Sequence, residues 1–491
     1  MQGLGSAVKK GAAWILTGRF LTLIINFGAN VVLARLLEPE DFGVFGIALI
    51  VKGLATRLGN VGFGMALVQK KEIGPDHISS LFVINLYIFG GMAALLIYAS
   101  PHIGSFLESP LAGRVSTVMA LVFLTSPFSS VANAILQRRM DFKGTSIGNT
   151  VDHFVSSGSA ILLALQGYGV WSLACGYLLG SASNTLILCK YAKWMPSLRF
   201  NGEAMRELSG FGFKVFIKDL LVFGSDKVDY FIIAKRLGVA PLGFYEKAFN
   251  LMELASKELS QKLSVILFPA FSKLQDDNIR LRAAYSKVIL ILSLVCFPFF
   301  FGLFLVAPSF VGFFFGEKWL PTVLPLKILC IAGLFRIHLQ VTSTAVNATG
   351  FVGSEIRKRA VSLILLSIGC WVGSAWGASG VALAVTVVTG LLAVQMAAYF
   401  KNLVGLHLRD LFAPQWQGFL ASLAMLVAVL GYQAWVKSTL NLYSPTVLFS
   451  SVFIGATTYL LTVWVIRTDQ VVSLFREFTN DMKPLFQKPG H

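Results

Sequence analysis

Basic residues lie inside long apolar runs of this 491-residue chain, and they are its clearest chemical signal. A charge at the centre of a bilayer costs at least about 2.5–3.5 kcal/mol unless water or a partner group compensates it. Where several cations face one hydrated space, water and a bound anion would together compensate their charges. The candidate anion-binding residues are Arg19, Lys52, Arg57, Lys214, Lys218, Lys257 and Arg336.

Depth within the runs selects these residues. At a rise of 1.5 Å per residue, Arg57, Lys257 and Arg336 fall near the middle of their runs. Lys214 and Lys218 are four residues apart and share one helix face. Other lysines lie near the run ends, where we expect their ammonium groups to extend to the interface. These are Lys227, Lys247, Lys262 and Lys327.

Carboxylates in the same part of the chain offer a second chemistry. Asp226, Asp229 and Glu253 are candidates for coupling transport to a proton or sodium ion. Glu253 and Lys257 also have the four-residue spacing of a helical ion pair. Ion pairing that only fixes helix packing is therefore an alternative to ligand binding for the lysines of these runs.

Transmembrane helices must position these groups. The chain is 55% apolar with a mean hydropathy of +0.72, and about 20 apolar residues suffice to cross a hydrocarbon core. We predict an all-α polytopic membrane protein with 14 transmembrane helices. The predicted spans are 11–37, 42–68, 78–99, 113–136, 146–165, 170–191, 209–233, 243–268, 284–306, 321–346, 358–376, 380–400, 415–436 and 445–466.

The net charge of +17 follows membrane topology and does not indicate a nucleic-acid partner. With the N-terminus inside, the inner loops and termini carry 24 lysines and arginines, whereas the outer loops carry 6. This bias predicts that both termini are cytoplasmic. The longest outer loops, 100–114 and 307–321, are rich in glycine, proline and aromatic residues that suit the interface. The tail from residue 467 onward is either a short helix on the inner surface or a solvated terminus.

Other chemistry finds little support in the residue pattern. The five cysteines lie in apolar runs without CxxC spacing, and the six histidines form no paired-ligand motif. The chain also has no GxxxxGK[ST] sequence for ATP hydrolysis. We therefore expect no metal, no cofactor and no enzymatic activity. The first span is too long for the apolar part of a signal peptide, so we expect it to be retained.

An internal repeat divides the chain. Residues 34–45 and 234–245 match at an offset of 200, and both follow an odd-numbered span. Matched pairs are Ala34/Ala234, Arg35/Lys235, Gly43/Gly243, Phe45/Tyr245 and Arg57/Lys257. We predict an N-terminal six-helix lobe over 1–195, a second over 206–405, and helices 13 and 14 with a cytoplasmic tail over 406–491. Because six spans return the chain to the same side, the repeats are parallel, which is a common plan for transporters.

Four segments carry a resemblance to a known family. They read GAAWILTGRF (11–20), ARLLEPEDFGVFGIA (34–48), GFGMALVQKK (62–71) and DKVDYFIIAKRLGVAPLGFYEKA (226–248). They resemble the polysaccharide-transporter branch of the multidrug/oligosaccharidyl-lipid/polysaccharide exporter superfamily, and especially its Wzx-type flippases. The resemblance covers nearly the whole chain. Its motifs are packing and loop motifs, so they assign no catalytic residue.

The resemblance implies a function and a fold. It implies a flippase that moves a polyprenyl-pyrophosphate-linked oligosaccharide across the bacterial inner membrane, and two six-helix bundles arranged in a V. Its partners would be the anionic lipid-linked oligosaccharide, the bilayer, and a polysaccharide polymerase with chain-length machinery. Two alternatives stay open at this stage. A cation-coupled drug exporter of the same superfamily would need dominant acids in its cavity, and a membrane polysaccharide polymerase would need a larger outer loop.

Overall fold

Helices account for the ordered secondary structure of the described chain. The computed structural model describes residues 2–59, 64, 67–68, 70, 72–203, 212–407, 409, 413–437 and 443–466, and these contain fifteen α-helices and no strand. In the first part of the chain these are α1 (Gln2–Leu36), α2 (Pro39–Gly59), α3 (Pro75–Phe106), α4 (Pro110–Ala120), α5 (Val122–Arg138), α6 (Phe142–Leu165) and α7 (Val170–Ala192). The rest are α8 (Gly212–Arg236), α9 (Val239–Lys273), α10 (Asn278–Phe314), α11 (Val323–Ala348), α12 (Val352–Gly373), α13 (Gly377–Val404), α14 (Trp416–Val436) and α15 (Pro445–Ile466).

These helices confirm an all-α multi-span membrane protein. Only Leu121 separates α4 from α5, so these two helices form one continuous segment. The fifteen described helices therefore give fourteen successive helical segments. Nine helical segments of the described residues are long and apolar enough to cross a membrane by length and composition. Helix α6 lies outside this set because polar residues such as Asn149, Asp152 and His153 interrupt its apolar sequence.

Two predicted outer loops are wrong in extent. Most of 307–321 is helical, because α10 continues to Phe314 and a 3-10 turn covers Glu317–Thr322. In 100–114, helix α3 continues to Phe106 and α4 begins at Pro110. Their aromatic and proline residues suggested loops. Pro110 lies in the first turn of α4, where proline is tolerated, whereas Pro101 and Pro308 lie inside α3 and α10, as membrane helices allow. The predicted surface helix beyond residue 467 lies outside the described residues.

Local sequence signals explain several helix ends. Ser109 caps α4, since its hydroxyl accepts a hydrogen bond from the Ala112 amide at 3.3 Å, and Pro110 follows at the first helical position. Asp141 caps α6 in the same way, accepting from the Gly144 amide at 3.3 Å. Such caps satisfy amide groups that a helix leaves unpaired at its N-terminus.

The chain divides into two compact units. The first contains Met1–Asn250, Phe314–Leu329 and Gly353–Val388, and the second contains Leu251–Phe313, Cys330–Val352 and Thr389–His491. In the first unit, one apolar cluster surrounds Phe82 and another surrounds Phe123. In the second, Met425 lies in a cluster with Leu305 and Tyr459. The lobe boundaries at 195 and 206 and the exact repeat arrangement stay predictions.

Close helix packing in the first unit depends on small residues. A Cβ atom on Gly176 would lie 2.6 Å from the Ser156 carbonyl oxygen, and one on Gly180 would lie 2.8 Å from the Asp152 carbonyl oxygen. Helices α6 and α7 therefore approach backbone to backbone. Small residues are the usual means of such approach in a membrane, where packing rather than the hydrophobic effect drives helix association.

Candidate functional site

Lys52 lies on α2 and contacts α7. Its side chain is half-buried, and its Nζ donates a hydrogen bond to Tyr177 Oη at 3.0 Å. The same ammonium lies 5.4 Å from the centroid of the Tyr177 ring. One tyrosine thus orients the cation through both its hydroxyl and its ring.

An acidic residue that the sequence analysis missed lies near this cation. Asp152 on α6 is attracted electrostatically to Lys52, and the Asn184 side chain hydrogen-bonds to its carboxyl group. The Oδ1 atom of Asn184 is buried and accepts no hydrogen bond within the described chain. The signal in the sequence was the Asp152-His153 pair of charged and polar residues inside the predicted span 146–165.

Arg57 lies farther along α2, five residues after Lys52. Its half-buried guanidinium lies 5.6 Å from the centroid of the Phe223 ring on α8. Such a distance is typical of a cation–π contact. The structure therefore brings Lys52 to Tyr177 and Asp152, and Arg57 to Phe223, all within the first unit.

The remaining predicted candidates are described only in part. Arg336 is half-buried on α11, in the second unit. Four candidates have side chains outside the described part of the structure, and their backbones lie on α1, α8 and α9. These are Arg19, Lys214, Lys218 and Lys257. The seven-residue anion site as a whole stays a prediction.

Of the predicted ion-coupling residues, Asp229 has a structural partner. It is 2% exposed, and its Oδ2 accepts a hydrogen bond from Tyr245 Oη at 2.6 Å. Its Oδ1 accepts from the Tyr230 amide at 2.9 Å. This pair joins α8 to α9. Asp226 and Glu253 are both half-buried.

The expectation that Lys247 extends to the membrane interface is wrong. The residue is only 4% exposed, and its Nζ donates to Asn30 Oδ1 at 2.7 Å. The ammonium also lies 3.8 Å from the Phe42 ring centroid and 5.3 Å from those of Phe315 and Trp319. Three aromatic rings and an amide oxygen replace the water that an interfacial lysine would find. Sequence depth alone gave no sign of this cage.

Glu246 lies beside Lys247 in sequence but occupies a different space. Its Oε2 is 2.5 Å from the point where a Cβ on Gly46 would lie. Gly46 and Glu246 are equivalent positions of the 200-residue repeat, so the lack of a side chain on α2 makes room for the carboxyl group of α9.

The contact between α2 and α9 is symmetric in sequence. A Cβ on Gly43 would overlap the Val239 carbonyl oxygen, and a Cβ on Gly243 would overlap the Pro39 carbonyl oxygen. Both pairs are related by the offset of 200. The equivalent cations Arg35 and Lys235 both donate to a backbone carbonyl. Arg35 Nε donates to the Phe314 carbonyl at 3.0 Å, and Lys235 Nζ donates to the Phe106 carbonyl at 2.7 Å.

The lipid flippase MurJ, solved in an inward closed conformation, has a similar fold. The match covers 92% of this chain and 98% of that chain, with a TM-score of 0.76 and 16% sequence identity. The fold class is thus that of a MurJ-like multi-span membrane protein. Residues 32–324 match the model of the family described as "Polysaccharide biosynthesis protein", and the chain belongs to that family.

Curated relatives agree with this family. The lipopolysaccharide biosynthesis protein WzxC of Escherichia coli strain K12 is 26% identical over 431 residues, covering 85% of this chain and 86% of WzxC. The succinoglycan biosynthesis transport protein ExoT of Rhizobium meliloti strain 1021 is 26% identical over 313 residues, covering 64% of this chain and 63% of ExoT. The resemblance to polysaccharide transporters drawn from the sequence motifs is confirmed.

Proposed function

We propose that the chain is a flippase for a polyprenyl-pyrophosphate-linked oligosaccharide. It moves the repeat unit from the cytoplasmic to the periplasmic leaflet of the bacterial inner membrane, for the biosynthesis of exopolysaccharide, O-antigen or capsule. Both termini are cytoplasmic in this proposal. The observation that supports it best is the presence of the half-buried cations Lys52 and Arg57 on the apolar helix α2, in a member of a polysaccharide biosynthesis family.

The cations address the main barrier to this movement. Desolvating an ionised pyrophosphate is prohibitive in hydrocarbon, so the headgroup needs polar groups along its path while the lipid tail stays in the bilayer. Lys52 is oriented by the Tyr177 hydroxyl, with Asp152 as a nearby carboxylate, and the Arg57 guanidinium lies against the Phe223 ring. In the proposal the positive charges of both residues attract phosphate oxygens. Arg19, Lys214, Lys218, Lys257 and Arg336 extend this set in the proposal.

Alternating access would move the site from one side to the other. The proposed lobes are 1–195 and 206–405, with 406–491 as an appendage. Rocking of such repeats around a central site is a common mechanism in transporters. In the proposed topology the loops before α2 and α9 are outer loops, so their glycine contact is the closed outer side. A polysaccharide polymerase with chain-length machinery would receive the product there, and the proposed role involves no catalysis.

Reconstitution of the full chain tests the proposal. Liposomes would contain a polyprenyl-pyrophosphate oligosaccharide with a fluorescent sugar in both leaflets, and an impermeant quencher would be added outside. We expect protein-free liposomes to lose only the outer-leaflet signal, whereas liposomes with the protein lose nearly all of it as the lipid crosses. Equal quenching in both would contradict the proposal. Efflux of a cationic dye without lipid movement would instead support a drug exporter.

A further inference from the structure

The carboxyl group of Glu246 has an unusual environment for a charged group. Its Oε2 has no exposed surface and no hydrogen-bond donor within the described part of the structure. Gly46 of α2 lies directly opposite. The Asn250 side chain hydrogen-bonds to the carboxyl group, so one oxygen is satisfied and the other is not. An ionised carboxylate in this position would lack half of its usual partners.

Two lysines attract Glu246 at a distance but bond elsewhere. Lys227 on α8 lies with its Nζ 3.9 Å from the Tyr230 ring centroid. Lys247 on α9 donates to Asn30 inside its aromatic cage. Asp229 on α8 accepts a hydrogen bond from Tyr245, the residue before Glu246. The nearby charges therefore leave Glu246 without a direct ion pair.

We propose that Glu246 binds a proton when α2 and α9 are in contact and releases it to water when they separate. This makes the α2–α9 contact a proton-linked gate. The proposal rests on the alternating access of the proposed function but does not depend on the identity of the substrate.

The physical argument compares two environments. A buried carboxylate loses several kcal/mol of hydration, which a direct ion pair with good hydrogen bonds can repay. Glu246 lacks such a pair, so its neutral form is favoured in the contact. Separation of the helices would let water reach Oε2, where a carboxyl group is ionised at neutral pH. By linkage, a group that binds a proton only in the closed arrangement makes that arrangement weaker as pH rises.

Distance measurements test the gate without any substrate. Spin labels on Glu40→Cys and Ala240→Cys would report the separation of α2 and α9 in the full chain in liposomes, with the five native cysteines replaced by alanine. Glu40 is exposed, and the two positions are equivalent in the repeat. We expect the fraction of molecules with the longer distance between the two labels to increase as the pH rises from about 5 to about 9.

Glu246→Gln mimics the protonated carboxyl group. We expect this variant to keep the short distance throughout and to lose the pH dependence. Glu72→Gln is the control, because it removes an exposed carboxylate outside the contact. This variant should retain the pH dependence of the distance. If Glu246→Gln does not assemble, Glu246→Met provides a second uncharged side chain. The proposal would be overturned if the label distance in the wild type did not change with pH. It would also be overturned if an uncharged variant of Glu246 showed the same pH dependence as the wild type. The distance measurement needs no substrate, so a protein that moved no lipid could still show the pH-dependent contact. Failure of the proposed function and failure of the gate are therefore distinguishable.

Discussion

Gly43 and Gly243 face each other across the crossing of α2 and α9, each against the backbone of the opposite helix. The nitrogen of Gly43 is 3.3 Å from the position of a Cβ on Gly243. Residues at equivalent positions of a repeat contact each other when they lie near the axis that relates the two copies. The repeat in the sequence thus has a direct counterpart in a helix contact.

A side chain at this crossing should separate the helices. Gly43→Ala places a methyl group in the space of the Val239 carbonyl oxygen. We expect destabilisation of about 1–3 kcal/mol, the usual cost of overpacking, and a longer Glu40–Ala240 spin-label distance. Thermal unfolding in detergent and the label distance measure the two effects. Gly91→Ala on α3 is the control because no atom lies within 4 Å of its Cβ position. An unchanged distance in Gly43→Ala would argue against a tight contact.

The charge of Lys52 should matter more for transport than its hydrogen bond. Lys52→Gln removes a cation from the proposed path, and we expect lipid transport to fall about tenfold to a hundredfold, as for the loss of a hydrogen bond to a charged group. Tyr177→Phe removes only the hydroxyl that Lys52 contacts. We expect this variant to transport within about threefold of wild type, which corresponds to about 0.7 kcal/mol, because the ammonium keeps its charge.

Lys190→Gln is the matched control for Lys52, because Lys190 is an exposed lysine at the end of α7. It should transport like the wild type. Initial rates in the liposome assay compare the three variants. Equal losses in Lys52→Gln and Lys190→Gln would indicate a general surface-charge effect and not a site.

The aromatic cage predicts an asymmetry between the two partners of its hydrogen bond. Asn30→Leu leaves the buried Lys247 ammonium without its oxygen acceptor, so we expect a loss of about 1–3 kcal/mol. Lys247→Met removes the ammonium itself and should cost less, because a hydrophobic residue can replace a buried ion. The double variant should be more stable than Asn30→Leu. Thermal unfolding of the wild type, the two single variants and the double variant completes a double-mutant cycle, which measures the interaction between the two side chains. Additive losses would show that the two side chains do not interact.

Helix α3 provides a test of orientation. Its ends carry the exposed residues Glu72, just before the helix, and Ser105. In a cysteine-free background, we expect Glu72→Cys to react with an impermeant thiol reagent only from the cytoplasmic side and Ser105→Cys only from the periplasmic side. The charge bias of the loops is the basis for this expectation. Reaction of both positions from one side would overturn the proposed topology.

The sequence was sufficient to predict the class of protein and most helices. Transfer of an apolar run into a bilayer depends mainly on the composition of that run, so each span can be recognised locally. This is why α7 at Val170–Ala192 lies within about one residue of the predicted 170–191. The same local argument missed the extension of α10 to Phe314, because apolar helices can continue beyond the hydrocarbon core.

Neighbours across helices were decided only by the tertiary structure. Sequence depth placed Lys247 near the interface, but packing of α1, α2 and the 314–319 region around it made a cage. Spacing along one span also could not bring Asp152 to Lys52 or Gly46 to Glu246. The sequence by itself thus determined which segments enter the bilayer and which charges go with them. Only the packing decided which of those charges have partners, because the partner of a buried group lies on another helix.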